Sequence, residues 1–281
     1  MTLRERLSQI PLLRQCVIHA FRLLQRDIYI TNPWTGHKLR LNSYRHKGYW
    51  YFGKSREHET MVLFEALIRQ GDTILEVGGH IGFITQYFSK LVAQQGKVIV
   101  FEPGLNNIRY TEENVHGLQN TTLERKAVSS ENGIATFYED NLTGQNNSLL
   151  SDYKNADLVA KTHAATLVRS PRQVEVVTID SYVDVHGLKP DFLKIDVEGC
   201  EYQVLLGAAK TLRSVPALMV EVTMQHDAVT KLLREAGFKL LDEHKNQMEK
   251  ISTDGNVFAL RGSQFVQPIS GGRPAVASRA V

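Results

Sequence analysis

The chain has 281 residues, 42% apolar and 22% charged, the usage of an ordinary folded domain. That excludes a wholly disordered chain, a collagen-like fibre and a multi-span membrane protein, and it leaves apolar mass for a core around a buried site. Lys plus Arg number 33 against 30 Asp plus Glu, a formal charge of +3. The first 26 residues hold five Arg and one Glu, and the last 20 hold two Arg and no acid, so residues 27–261 are net −3. Nothing in that balance signals a nucleic-acid face. Cys16 and Cys200 are the only cysteines, which excludes a disulfide framework and a zinc site of paired cysteines and fits reduced thiols in the cytoplasm.

In chain order, Leu3, Leu7, Ile10, Val17, Phe21 and Leu24 recur at helical spacing, with Pro11 as a kink and an arginine-rich opposite face. Arg14, His19 and Arg22 break every apolar stretch there, so no secretory signal is expected. Residues 1–26 read as an amphipathic helix that packs on its own domain, on a partner copy or peripherally on a membrane. Asp27–Thr31 and Lys38–Tyr44 read as strands of a hairpin around Asn32-Pro33-Trp34-Thr35-Gly36. The aromatics Tyr49, Trp50, Tyr51 and Phe52 follow, then a helix over Glu59–Gln70.

From Asp72 the pattern alternates strand and helix. Strands are expected over Thr73–Val77, Lys97–Phe101, Thr122–Val128, Asp191–Val197, Ala217–Thr223, Phe238–Asp242 and Val257–Leu260. Helices are expected over Phe83–Gln94, Asn106–Gly117, Tyr202–Leu212 and Asp227–Ala236. This is an α/β chain with a doubly wound, seven-stranded, mostly parallel sheet. An insertion over 129–180 carries strands Ile134–Tyr138 and Val174–Asp180. The organisation expected is a helix-and-hairpin cap (1–56), a main domain (57–261) and a disordered tail (262–281).

Three blocks carry chemistry. Thr73–Val77 runs through Glu76 into Gly78-Gly79-His80-Ile81-Gly82 and straight into a helix. Glycines there let the backbone turn sharply and approach a ligand. The spacing is not G-x-G-x-x-G, and Glu76 suits a cationic ligand better than a pyrophosphate, which disfavours a nicotinamide enzyme. The second strand ends in Phe101-Glu102-Pro103, where an acid accepts both ribose hydroxyls of a nucleoside. Lys194, Asp196 and Glu198 lie on one side of a strand end, charges that are costly in a central strand unless paired or used. Glu221 ends the next strand, with His226 close behind.

These blocks resemble the FkbM-type family of S-adenosylmethionine-dependent methyltransferases. The matching pieces are the Glu76–Gly82 turn, Phe101-Glu102-Pro103, Ala127-Val128-Ser129, Asn147-Ser148-Leu149, Val177-Thr178-Ile179-Asp180, Lys194-Ile195-Asp196-Val197-Glu198-Gly199 with Glu201, and Val220-Glu221-Val222. They span about residues 57–223. At the turn, Glu76, Gly79 and His80 stand where the family usually has Asp, Ala and Asn. The resemblance implies a Rossmann-like methyltransferase fold, S-adenosylmethionine as cofactor, and O-methylation of a sugar or polyketide-like small molecule or glycan.

Cofactor contacts are expected from Glu76, Gly78, Gly79, His80, Gly82, Glu102, Pro103, Ala127 and Asp196. An alcohol must lose its proton as the new bond forms. Asp196 is the expected base, Glu221 and His226 are the alternatives, and Lys194 and Glu198 orient the acceptor or tune Asp196. No metal is expected, because carboxylates at strand ends do not by themselves specify one. Residues 141–172, the hairpin near Trp34 and the Tyr49–Phe52 aromatics are expected on the acceptor side. A catalytically inactive binding or scaffolding protein of the same fold is the alternative, and homo-oligomerisation stays open.

Overall fold

The computed structural model describes residues 22–152 and 166–262. Most of the helix expected in 1–26, residues 153–165 of the insertion, and the tail beyond residue 262 lie outside the described residues. Among the described residues no helix is long and apolar enough to cross a membrane.

A hairpin, β1 (Asp27–Thr31) and β2 (Lys38–Asn42), leads into a short helix α1 (Lys47–Phe52) and then α2 (His58–Leu67). The alternating part follows: β3 (Thr73–Val77), α3 (Phe83–Val92), β4 (Lys97–Phe101), α4 (Leu105–Val115) and β5 (Thr121–Glu124). Next come β6 (Ala127–Val128), β7 (Gly133–Asp140), β8 (Arg169–Val177), α5 (Ile179–His186), β9 (Phe192–Ile195) and α6 (Glu201–Leu206). The chain closes with β10 (Ala217–Val222), α7 (His226–Glu235), β11 (Lys239–Leu241), β12 (Gln247–Met248) and β13 (Gly255–Leu260).

The main sheet runs β12-β11-β13-β10-β9-β3-β4-β5. Its middle, β10-β9-β3-β4-β5, is parallel, and β13 inserts antiparallel between β10 and β11. All seven expected strand positions are present, and the two-residue β12 adds an eighth at the edge. This is the Rossmann-like methyltransferase architecture. The parallel strands are apolar on both faces because both are covered. Tyr182, Val204, Leu205, Val229 and Leu233 from α5, α6 and α7 cover one face. Phe64 and Phe88 from α2 and α3, with Leu39 and Leu41 of the hairpin, cover the other. There Phe64 meets Phe88 and Phe192 edge-on at 4.8 and 5.8 Å between centroids. Each fully buried ring contributes about 2–3 kcal/mol.

Four elements depart from the sequence reading, each for a local reason. The single strand expected over Thr122–Val128 splits. Arg125 and Lys126 turn outward to pair with Glu112 and Glu175, and Ala127–Val128 join β8 in a separate three-stranded sheet. The strand expected to reach Asp180 ends at Val177. Thr178 caps α5 instead, its hydroxyl accepting from the Ser181 N–H at 3.0 Å, a common N-cap device. The helix expected over Tyr202–Leu212 stops at Leu206. Asp180 accepts from the N–H groups of Lys210 and Thr211 at 2.7 and 2.8 Å, drawing the chain into a 3₁₀ turn. Finally, α1 forms from the aromatic run, burying Tyr49 and leaving Tyr51 and Phe52 exposed.

Candidate active site

At the carboxyl ends of β3, β4, β9 and β10, beside the point where strand order reverses, lies a cleft of about 410 Å³. This is where ligands enter open α/β sheets. Its floor begins at the turn after β3. Gly78 has φ +88° and a Cβ there would stand 1.8 Å from the Asp196 carbonyl oxygen, while a Cβ on Gly79 would meet Val100 at 2.3 Å. Side chains are excluded at both positions, so backbone alone lines this wall. His80 itself has φ +47°, a left-handed conformation that histidine and asparagine tolerate better than most residues.

Glu76, Lys194 and Met219 form one row across β3, β9 and β10, in direct register. Glu76 is fully buried, and neither carboxylate oxygen has a hydrogen-bond partner among the described residues. Burial pushes its carboxyl up to about 7 against the opposing pull of Lys194. The Lys194 ammonium stands 3.9 Å from Glu76, donates to the Gly78 carbonyl at 2.6 Å and pairs with Asp196 at 3.0 Å. A buried ammonium is expensive unless paired this closely.

Asp196 follows β9, with its side chain 29% exposed to the cleft. Desolvation alone would raise its carboxyl, but the Lys194 charge and hydrogen bonding outweigh it and hold it below the usual range. Glu221 moves the opposite way: the Asp196 charge, then burial, push it far up. The two carboxyls titrate as a pair, and the Lys194 ammonium beside Asp196 favours negative charge on that member. Asp196, Glu198 and Glu221 bring one carboxylate oxygen each within 4.8 Å of one another. Glu198 has φ +56°, and its carbonyl accepts from the Ser148 hydroxyl at 2.7 Å. Glu201 steadies the same loop, accepting from the Gly199 N–H at 2.7 Å.

Across the turn, Glu102 is buried and accepts from the N–H groups of His80 and Gly104 at 2.7 and 2.8 Å. Asn107 donates to it at 3.3 Å. A carboxylate has about four acceptor sites, so capacity remains. Burial pushes it up to about 7. Pro103 and Ala127 line the same end of the cleft. The far wall comes from the loop after β7, which Asp140 organises by accepting from the N–H groups of Leu142, Thr143 and Asn146.

Three expected residues lie elsewhere. Gly82 caps α3 and packs under Thr111, Asn114 and Val115 rather than lining the cleft. His226 is outside the cleft, 2.9 Å from Asp254 at the surface. Trp34 packs into the core against Tyr87 and His58, so the hairpin tip is not part of the site. The His80 ring also has other work. Its Nδ1 accepts from the Tyr49 hydroxyl at 2.9 Å, and Nε2 donates to the Thr143 carbonyl at 3.2 Å. Both ring nitrogens are taken by the protein itself.

Conversely, Arg56, Glu57, Asn107 and Asn256 line the cleft without a sequence signal, since folding alone gathers them from three separate segments, while Gln145 falls in the 141–172 stretch expected on the acceptor side. Left-handed Glu57, φ +52°, is the kind of strained position that clusters at functional sites.

Residues 76–240 match the methyltransferase FkbM domain. The hexuronic acid methyltransferase AglP of Haloferax volcanii is 26% identical over 184 residues, 64% of this chain and 69% of that protein. Among solved structures, an S-adenosylmethionine-dependent methyltransferase from Aquifex aeolicus is 16% identical, covering 74% of this chain and 92% of that one at a TM-score of 0.38. Fibrillarin from Aeropyrum pernix is 12% identical, covering 83% and 89% at 0.40. The domain match takes in the glycine turn, Glu102, the Lys194–Glu198 block and Glu221 and extends over more than half of the chain, which therefore belongs to the FkbM methyltransferases and is an S-adenosylmethionine-dependent enzyme.

Proposed function

We propose that this enzyme methylates a hydroxyl of a sugar-like acceptor and that Asp196 is the base. The observation that carries the reading is the Asp196 carboxylate in the cleft, 3.0 Å from the buried Lys194 ammonium and grouped with the Glu198 and Glu221 carboxylates. The similarity to a hexuronic acid methyltransferase supports a sugar as the acceptor.

The residues present fit S-adenosylmethionine. Glu76 offers a buried carboxylate at the cleft wall whose only close charge is Lys194 at 3.9 Å among the described residues, suited to a ligand ammonium. Glu102 has acceptor capacity left for ribose hydroxyls. Gly78 and Gly79 leave backbone bare where a ligand must approach closely, and Pro103 and Ala127 give the nucleoside end an apolar wall. Bound there, the cofactor supplies a methyl group already activated by its sulfonium.

The chain's own work is positioning and proton transfer. Asp196 accepts the hydroxyl proton, and Lys194 keeps it ionised in a desolvated site. The Asp196 charge and burial push the Glu221 carboxyl up, which favours Asp196 as the member that takes the proton. Glu198, braced by Ser148, holds the loop that presents Asp196. This reading uses Lys194 as the cation of the cluster and needs no metal.

The test is the product. Incubation with S-adenosylmethionine and a panel of hexoses and hexuronic acids should give a methyl ether that survives mild alkali. An alkali-labile methyl ester would mean that a carboxylate is the nucleophile and no base is required, which would overturn the hydroxyl assignment.

A further inference from the structure

Arg56 is the cation in the cleft wall to which the methyl-transfer chemistry gives no task. Lys194 is committed to Asp196 and Gly78, and Lys126 pairs with Glu175 at 2.8 Å. Arg56 lines the cleft with its side chain only 22% exposed. Its Nη2 meets Glu57 at 2.9 Å, and its Nε is buried with no acceptor among the described residues. The guanidinium lies over the Tyr49 ring at 4.3 Å, which fixes its plane. Gly48 leaves it room, since a Cβ there would stand 2.9 Å from Nη1. A guanidinium whose plane is fixed and which stays partly exposed in the cleft wall is suited to a planar anion.

We propose that Arg56 binds a carboxylate of the methyl acceptor, so that the enzyme selects an acidic sugar over its neutral counterpart; this rests on the sugar reading above. Two observations direct Arg56 to the acceptor rather than to the cofactor. It stands before residue 76, outside the stretch that the family shares, in the cap region where acceptor choice can vary without disturbing the cofactor frame. It also lines the same cleft as Asp196, which puts the anion handle on the wall that holds the base. Besides Arg56 and the already paired Lys194 and Lys126, the charged groups of the cleft wall are acids, namely Glu57, Glu76, Glu102, Asp196, Glu198 and Glu221. An anionic acceptor would be repelled there without a dedicated cation.

The experiment uses the full chain loaded with S-adenosylhomocysteine and measures dissociation constants for glucuronate, galacturonate and mannuronate against glucose, galactose and mannose. Wild-type protein should bind at least one uronate about 10- to 100-fold more tightly than its hexose, the range of a charge-assisted hydrogen bond. Arg56→Met should bring that ratio close to one, and Arg56→Lys should restore part of it. S-adenosylhomocysteine affinity, which also reports folding, should stay within about threefold in both variants. No uronate preference in the wild type, or a preference that survives in Arg56→Met, overturns the proposal. A large loss of S-adenosylhomocysteine affinity overturns it too, by assigning Arg56 to the cofactor's own carboxylate. Methyl transfer is read in parallel. Preferential uronate binding without an ether product fails the O-methylation reading and leaves Arg56 in place, whereas ether formation without charge preference fails Arg56 alone.

Discussion

Glu76 occupies the middle of the sheet with no exposed surface and no hydrogen bond to either oxygen, an arrangement that costs the ligand-free protein stability. Its folded pKa, about 7, lies above the usual carboxylate range because of burial. The native state thus keeps this proton over a range where the unfolded chain has lost it. The associated stability is full below about pH 4.5 and is lost as pH rises through 7. Glu76→Gln should leave the melting temperature unchanged at pH 5. At pH 8 it should raise stability by about 1–2 kcal/mol, less than the whole linkage term because the amide is also unpartnered. Cofactor affinity should fall in the same variant. Thermal unfolding at the two pH values, with calorimetry of cofactor binding, checks both halves. An equal shift at pH 5 and pH 8 would show that Glu76 is not held protonated.

Three elements are tied together by the chain Tyr49–His80–Thr143, which joins α1 to the glycine turn and to the loop after β7. Burial pushes the His80 imidazole down to about 4, so it is neutral at working pH and has one N–H, which Thr143 takes, and one lone pair, which the Tyr49 hydroxyl fills. Tyr49→Phe leaves that nitrogen without a donor in a buried site, at a cost of about 1–3 kcal/mol. The expected result is faster hydrogen exchange over residues 141–149 and a raised acceptor KM, with cofactor affinity little changed. Unaltered exchange in that loop would remove the latch from the account. The alternation from β3 onward was legible because strands covered on both faces read as apolar runs. The latch was not. It joins residues 31 and 63 positions apart, and α1 is one short turn-and-a-half of aromatics without a periodicity to read.

At the scale of the whole molecule, the same cleft gathers the glycine turn, Glu102, Asp196, Glu198 and Glu221 on strand ends, all visible in sequence as charges or glycines where apolar strands stop. His226 looked equivalent because it follows Glu221 closely in sequence, but α7 begins there and carries it to the surface. Arg56 and Asn256 were illegible for the converse reason: each is an ordinary polar residue until the turn before α2 and β13 bring it to the cleft. The central claim is that Asp196 takes the acceptor's proton. The most direct measurement is the single-turnover rate of Asp196→Asn, normalised to the folded fraction from thermal unfolding, with the uronate and hexose panel as acceptors. The account predicts a fall of about 100-fold or more in the chemical step, with the variant still folded. A folded Asp196→Asn enzyme that turns over at the wild-type rate would contradict it.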